Sequence, residues 1–573
     1  MKPDKFQGKQ WSYLLIEVIL ILGLFFAVFH FKYPIRYDNM GGDNIWQSAS
    51  TIKYTNEWLS EGPGKLHFTA YENFDSVEFA TLSERVPFIS YPYAHTVLVY
   101  LAAKLCGRQE IDISFVKHLQ MILFAVETLL FAGYLRLLLA RFGRTGPGGR
   151  MLITVSSTVL WILLPVNAWY LPNVFFTDQT VLLFVMALLY LEELLNVEIH
   201  ERGSVTDDGG THSSGRPEPA GKKYYDTVLK VLRVPVIFCG ILTDYYFWIL
   251  VFFVFAARII SGFARREGIR TILRTALSYA LPVIAALAVW LIQLSYTEGW
   301  PDLLLYKFRF RTGGYEGGVY DRLIENFSSS FTQDQRSFMF WLLLIWLIGG
   351  GLTVCYLLGR GRLSLLWTDG SLLLLIVAFL APAVQILLLK NHSAVHEFSM
   401  MKEGFCVAMT APLLAMVAVR AFRSEGGLFL LGRKIRPFLP TYLLCFFLML
   451  LLTGVPTATS RYIVSRDGDA DYTMAEFLRE NTGYEDVCFS FTEEIPYEPP
   501  HDLTVSHKRV WPVETAEEID TMFPALPDSA EKLLLVRADR SELPDEIAAA
   551  EDALITGAAL RAESEAYLLY ELP

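Results

Sequence analysis

The chain has 573 residues, 53% of them hydrophobic and 14% aromatic, with a mean hydropathy of +0.35. That balance excludes an ordinary soluble globular protein and predicts a polytopic α-helical membrane protein. The net charge of −11 is unevenly spread: from Arg466 onward there are 26 acidic against 8 basic residues, and the remainder is net positive by 7. No basic patch interleaved with stacking aromatics lies on a soluble stretch, which argues against nucleic acid as a partner. Five cysteines (Cys106, Cys239, Cys355, Cys406 and Cys445) lie in or beside apolar stretches, and only Cys488 is in the tail. Neither a disulfide within the tail nor a Cys/His zinc pattern is therefore expected.

Lys2, Lys5 and Lys9 precede a first span at about 11–31, placing the N-terminus in the cytoplasm by the positive-inside rule. The span lacks a small-residue cleavage site and runs into Phe31-Lys32-Tyr33-Pro34, so it reads as a retained helix. An outer loop, 32–90, follows. Near its start, Tyr37-Asp38-Asn39-Met40-Gly41-Gly42-Asp43-Asn44 puts two acids beside a Gly-Gly turn where the chain leaves the membrane. A carboxylate there can act as general base toward an acceptor hydroxyl when the other substrate is a lipid. The competing account is an ordinary solvated loop charge. Asn44 to Leu59, with Trp46, Tyr54 and Trp58 at helical spacing, predicts an amphipathic helix lying in the interface.

Further spans are predicted at roughly 91–106, 113–140, 151–170, 174–195, 231–258, 272–295, 337–358, 370–389, 400–421 and 437–454, about 11 in all. Tyr91-Pro92-Tyr93-Ala94-His95 opens the second. Its proline and aromatics suit an interfacial helix start, which leaves His95, one turn inside, unexplained. Asp178 sits in the first turn of an otherwise apolar helix; it either faces a cavity or partner, or simply complements the helix dipole. Between the polar linker 196–230 and the basic cluster Arg258, Arg265, Arg266 and Arg270, the span 231–258 is flanked by positive charge on both sides. Thr243-Asp244-Tyr245-Tyr246 near its middle predicts two half-helices meeting at a polar tip.

Two outer segments carry cations suited to phosphate. Lys307-Phe308-Arg309-Phe310-Arg311 would place Lys307, Arg309 and Arg311 on one side if extended, and the guanidinium fork matches phosphate oxygens. Asn391-His392-Ser393-Ala394-Val395-His396-Glu397 places His392 and His396 on one helix face, with Lys402 just beyond. Phosphate or hydroxyl contacts, plain interfacial residues and a metal pair are all open readings there, the last without an HExxH arrangement. No cofactor is assigned, and a divalent cation is left open.

The tail predicts a small α/β domain: a helix at Tyr472 to Asn481, a strand at Asp486 to Phe491, and a helix at Ala516 to Phe523 with Thr515 and Glu518 as a capping box. Strands at Lys532 to Arg537 and Ala566 to Leu572 complete it. The division expected is a transmembrane domain at 1–460 and an extracytoplasmic α/β domain at 461–573.

In their order along the chain these features resemble the GT-C superfamily of membrane glycosyltransferases, especially its protein O-mannosyltransferase and aminoarabinose-transferase branches. Asp43-Asn44-Ile45-Trp46 stands where the family has an acidic motif after the first helix. Tyr91-Pro92-Tyr93 stands at its Pro-Pro segment, and Asp178 at its later acid. The chain departs from the pattern at Asn44, where a second acid is usual, and at Tyr93, where a second proline is. The resemblance implies an integral protein of the cytoplasmic membrane that transfers a sugar, with inversion, from a polyprenyl-phosphate-linked donor. The acceptor would be a lipid, glycan or protein on the extracytoplasmic face. It further implies Asp43 as base with Asp38 in support. Asp178 and His95 would bind substrate, and Arg309, Arg311, His392, His396 and Lys402 would meet the carrier phosphate. A secondary transporter would instead require paired inverted repeats, of which only one interrupted span is visible. A non-catalytic membrane protein of envelope assembly is the third reading.

Overall fold

Apolar length decides which helices can cross a bilayer core of about 30 Å. The computed structural model describes residues 3–37, 46–71, 87–142, 147–206, 220–313, 318–331, 364–410, 412, 454–466, 473–483, 486–491, 510–522, 531–541 and 543–573. Within these, five helical stretches are long and apolar enough to span: Trp11–Lys32, Ile113–Arg141, Tyr245–Ala264, Ile269–Ser295 and Gly370–Leu388. A sixth is the bent pair Pro147–Leu163 and Pro165–Asn173, which meet at 69°. The chain is an integral membrane protein. The predicted span 337–358, all of 437–454 except its last residue, and 400–421 beyond position 410 except 412 lie outside the described residues, as do Asp38 and Asp43.

The helices in chain order are α1 (Pro3–Ala27, continued by a π turn to Lys32), α2 (Trp46–Ser60), α3 (Ala94–Leu105), α4 (Ile113–Phe142), α5 (Pro147–Leu163), α6 (Pro165–Asn173) and α7 (Thr177–Thr206). After them come α8 (Ala220–Ile241), α9 (Tyr245–Ala264), α10 (Ile269–Ser295), α11 (Trp300–Thr312), α12 (Val319–Ser329), α13 (Gly370–Leu388), α14 (Lys390–Val395) and α15 (Val455–Arg466). A helical stretch at 401–410 follows α14. Along α1 the split expected of a lipid-facing helix is plain: Trp11, Leu15, Ile19 and Phe26 are exposed, while Ile21, Phe25 and Phe29 are buried. The Phe25 ring packs on Phe124 at 5.2 Å.

The two half-helices expected within 231–258 are present: they are the end of α8 and most of α9, joined at Leu242–Asp244. Two expectations are corrected here. The linker 196–230 is helical at both ends, because α7 runs to Thr206 and α8 begins at Ala220. Helix α2 forms where predicted but does not lie exposed in an interface: Gln47, Ser48, Thr51, Lys53, Thr55 and Glu57 are buried along with Ile52 and Trp58. Part of its polar side is satisfied inside the protein. Thr51 Oγ1 donates to the Phe175 carbonyl at 2.7 Å, and Ser48 Oγ accepts from Phe175 N at 2.9 Å.

Four helices are tied together by one buried carboxylate. Glu192 of α7 meets Arg233 of α8 at 3.1 Å and Arg258 of α9 at 2.6 Å, and accepts from the Tyr279 hydroxyl of α10 at 2.6 Å. A buried acid in a membrane bundle persists only with such partners. Close approach matters one turn before the α8–α9 break, where a Cβ on Gly240 would sit 2.5 Å from the Phe247 ring.

The tail folds as expected, with additions. Helix α16 (Thr473–Asn481), strand β1 (Val487–Phe491), helix α17 (Ala516–Met522) and strands β3 (Lys532–Arg537) and β5 (Tyr567–Glu571) match the predicted segments. Strand β2 (Val510–Val513), helix α18 (Asp545–Ile555) and strand β4 (Ala559–Glu563) were not anticipated. The sheet order is β2-β1-β3-β5-β4, with parallel pairing among the first three strands and antiparallel pairing beyond. At the start of α17 it is Glu514 N that donates to Glu518, at 2.9 Å.

Candidate active site

A cavity of about 330 Å³ opens where α2, α7, α11 and the segment 390–398 converge. Asp178 lines it from the first turn of α7, Lys307 and Arg311 from α11, and His392 and His396 from α14 and its C-terminal edge. Aromatic walls complete it, among them Trp46, Tyr91, Phe176 and Phe398. Parts of the chain more than 200 residues apart thus supply one site.

Local structure explains which cations arrive. The segment 307–311 is helical, not extended, so the period is 3.6 residues rather than 2. Lys307 and Arg311, four apart, share the cavity face. Arg309 falls elsewhere, exposed and outside the lining. The Arg311 guanidinium lies 4.4 Å from the Tyr91 ring centroid and 5.3 Å from that of Tyr245, and Nη1 donates to the Ser90 carbonyl at 2.9 Å. Stacking and hydrogen bonding hold the fork in one plane, as anion recognition requires.

The histidines are close but not on one continuous helix face. Helix α14 stops at Val395, and His396 is already extended with φ −115° and ψ 96°. The two rings are still 4.7 Å apart. His392 Nε2 and the Tyr91 hydroxyl share a hydrogen bond of 3.1 Å, and His396 stacks on Phe398 at 5.0 Å. Burial holds both imidazoles below their ordinary value of 6.5, His392 well below, and the neighbouring Arg311 acts in the same direction on each. At neutral pH they are uncharged donors and acceptors. The segment is braced from outside: the Tyr462 hydroxyl of α15 donates to Glu397 at 2.8 Å, and Arg466 pairs with the same carboxylate.

Lys402 is placed differently from the sequence expectation. Its ammonium lies 2.7 Å from Asp178 Oδ1 and 3.3 Å from Asp244 Oδ2, all three side chains being at most 2% exposed. It is committed to carboxylates and is not among the cavity-lining residues. His95 is fully buried against Phe176, with ring centroids 5.1 Å apart, and it too stands outside the lining. Among the described residues no group of three or more His, Cys, Asp or Glu is arranged to hold a metal ion. Asp244 had been noticed only as part of a polar tip; its link to Asp178 through Lys402 spans chain distances that no local pattern reports.

No family sequence profile and no curated protein sequence matches the chain. Solved structures do. ArnT from Cupriavidus metallidurans, in the apo state, aligns with a TM-score of 0.50 and 10% identity over 98% of this chain and 98% of its own. The oligosaccharyltransferase of Archaeoglobus fulgidus, in the apo form, aligns with a TM-score of 0.50 and 11% identity over 93% of this chain and 70% of its own. The chain shares the fold of these two structures, as the resemblance drawn from its sequence implies. The likeness takes in the C-terminal sheet as well as the helices, since the ArnT alignment leaves only 2% of the chain uncovered. Within this shared fold, the cavity collects Asp178, Arg311, His392 and His396, four of the residues that the sequence singles out.

Proposed function

We propose that the protein transfers a sugar from a polyprenyl-phosphate-linked donor to a hydroxyl-bearing acceptor at the extracytoplasmic face of the membrane. One observation carries the reading: a single cavity in a GT-C fold lined by a carboxylate, two cations and two neutral histidines within aromatic walls. Leaving a sugar, a lipid phosphate gains negative charge. Arg311, and Lys307 beside it, are the groups to stabilise that charge as it develops. The neutral histidines and the Tyr91 hydroxyl supply hydrogen bonds to the phosphate or to sugar hydroxyls. Asp178 orients the sugar.

Asp43 is the proposed base, with Asp38 in support. Trp46, the first described residue after that stretch of the loop, lines the cavity. In that role Asp43 accepts the acceptor's hydroxyl proton as the oxygen attacks the anomeric carbon and the bond to the carrier phosphate breaks. Arg309 and His95, standing outside the lining, are assigned no contact with the carrier.

The test is binding of the carrier itself. Polyprenyl monophosphate should raise the unfolding temperature of the detergent-solubilised chain, and Arg311→Ala should abolish the rise. A carrier that leaves the wild type unchanged would count against the site.

A further inference from the structure

We propose that Asp244 is a positioning residue for Asp178, acting through Lys402; this rests on the reading of the cavity as the sugar-transfer site. Asp178, Lys402 and Asp244 come from α7, the 401–410 helix and the α8–α9 break, and form one buried chain of charge. Two carboxylates share one ammonium in a place where uncompensated charge is costly. A fold needing only to neutralise Asp178 would require Lys402 alone. With Asp244 on its other side, the ammonium is drawn between two acids, and Asp178 keeps part of its negative charge at the cavity wall.

The geometry gives Asp244 the means to hold this arrangement. Its Oδ1 accepts from Tyr246 N at 2.6 Å, capping α9, so the carboxylate is fixed by backbone rather than by a free rotor. Just before it, the Leu242 carbonyl accepts from Ala94 N at 2.8 Å and locks the break to the start of α3. Just after it, Tyr245 carries the Arg311 guanidinium. One break in the bundle therefore sets both the acidic end of the cavity, through Lys402, and its cationic end, through Tyr245.

Asparagine at 244 keeps the cap and removes the charge, which separates positioning from folding. Transfer from a polyprenyl-phosphate-sugar donor is measured with the full-length chain, comparing wild type, Asp244→Asn, Asp244→Glu and Lys402→Met. The expected result is a fall in kcat of at least tenfold for Asp244→Asn, with donor KM within twofold and an unchanged unfolding temperature. Asp244→Glu should recover part of the loss, and Lys402→Met should lower kcat at least as far as Asp244→Asn. Asp244→Asn with kcat within twofold of an active wild type overturns the proposal and leaves the site reading standing. A wild type that transfers nothing removes both.

Discussion

At the level of single residues the cavity divides its labour between charge and neutrality. Arg311 is held by two tyrosine rings and a carbonyl, so its planar fork, not charge alone, is what the proposed role draws on. Arg311→Lys should retain only a minor part of transfer, with the loss of one charge-stabilising donor lowering kcat by about 10²-fold; steady-state rates check this. The histidines carry a pH signature. Both are depressed below 6.5 by burial, so the neutral form is the native one. The stability they contribute is complete above the unfolded value and is lost as pH falls below it. At pH 5.5 this costs up to about 1.4 kcal/mol for His392. The unfolding temperature should drop between pH 7.5 and 5.5, and His392→Asn combined with His396→Asn should shrink that drop. An equal drop in both proteins would contradict the assignment.

Among the elements, the bundle depends on two kinds of close contact. Glu192 joins α7, α8, α9 and α10, and Glu192→Ala leaves buried Arg233 and half-buried Arg258 without the carboxylate they share. A destabilisation of about 3–5 kcal/mol is expected, read as lost folded protein in membranes at normal transcript level. Gly240→Ala pushes a methyl into the Phe247 ring and should cost about 1–3 kcal/mol, read from thermal unfolding. Because Gly240 lies one turn from the break, the same change should also lower transfer. Which elements were legible follows from the same physics. Long apolar helices announce themselves by composition, and so did the strand Lys532–Arg537, with its four consecutive buried residues. Strand β2 is four residues with a proline, and β4 is an edge strand with alternating charge and mostly exposed side chains. The apolar run of β2 is too short, and too interrupted by its proline, to read as a strand, and β4 carries no apolar pattern to detect. The helical, not extended, form of 307–311 reassigned Arg309, because alternation of charge and aromatic is compatible with either period.

For the whole molecule, the sequence order of short motifs pointed to the GT-C fold, and the structural likeness bears that out over 98% of the chain. What the order could not show was convergence. Tyr91 and His392 share a hydrogen bond across 301 positions, and Lys402 reaches Asp244 across 158. Only the packed bundle brings them together. The proposed role of this convergence is sugar transfer, with the base supplied by the loop that follows α1. Its most direct test is release of polyprenyl monophosphate and formation of glycosylated acceptor from a polyprenyl-phosphate-sugar donor, in membranes containing wild type, Asp43→Asn or Asp38→Asn. Transfer by the wild type is expected, with loss by at least about 10²-fold in Asp43→Asn and a smaller loss in Asp38→Asn, all at equal expression. Transfer at the wild-type rate in both variants would contradict it.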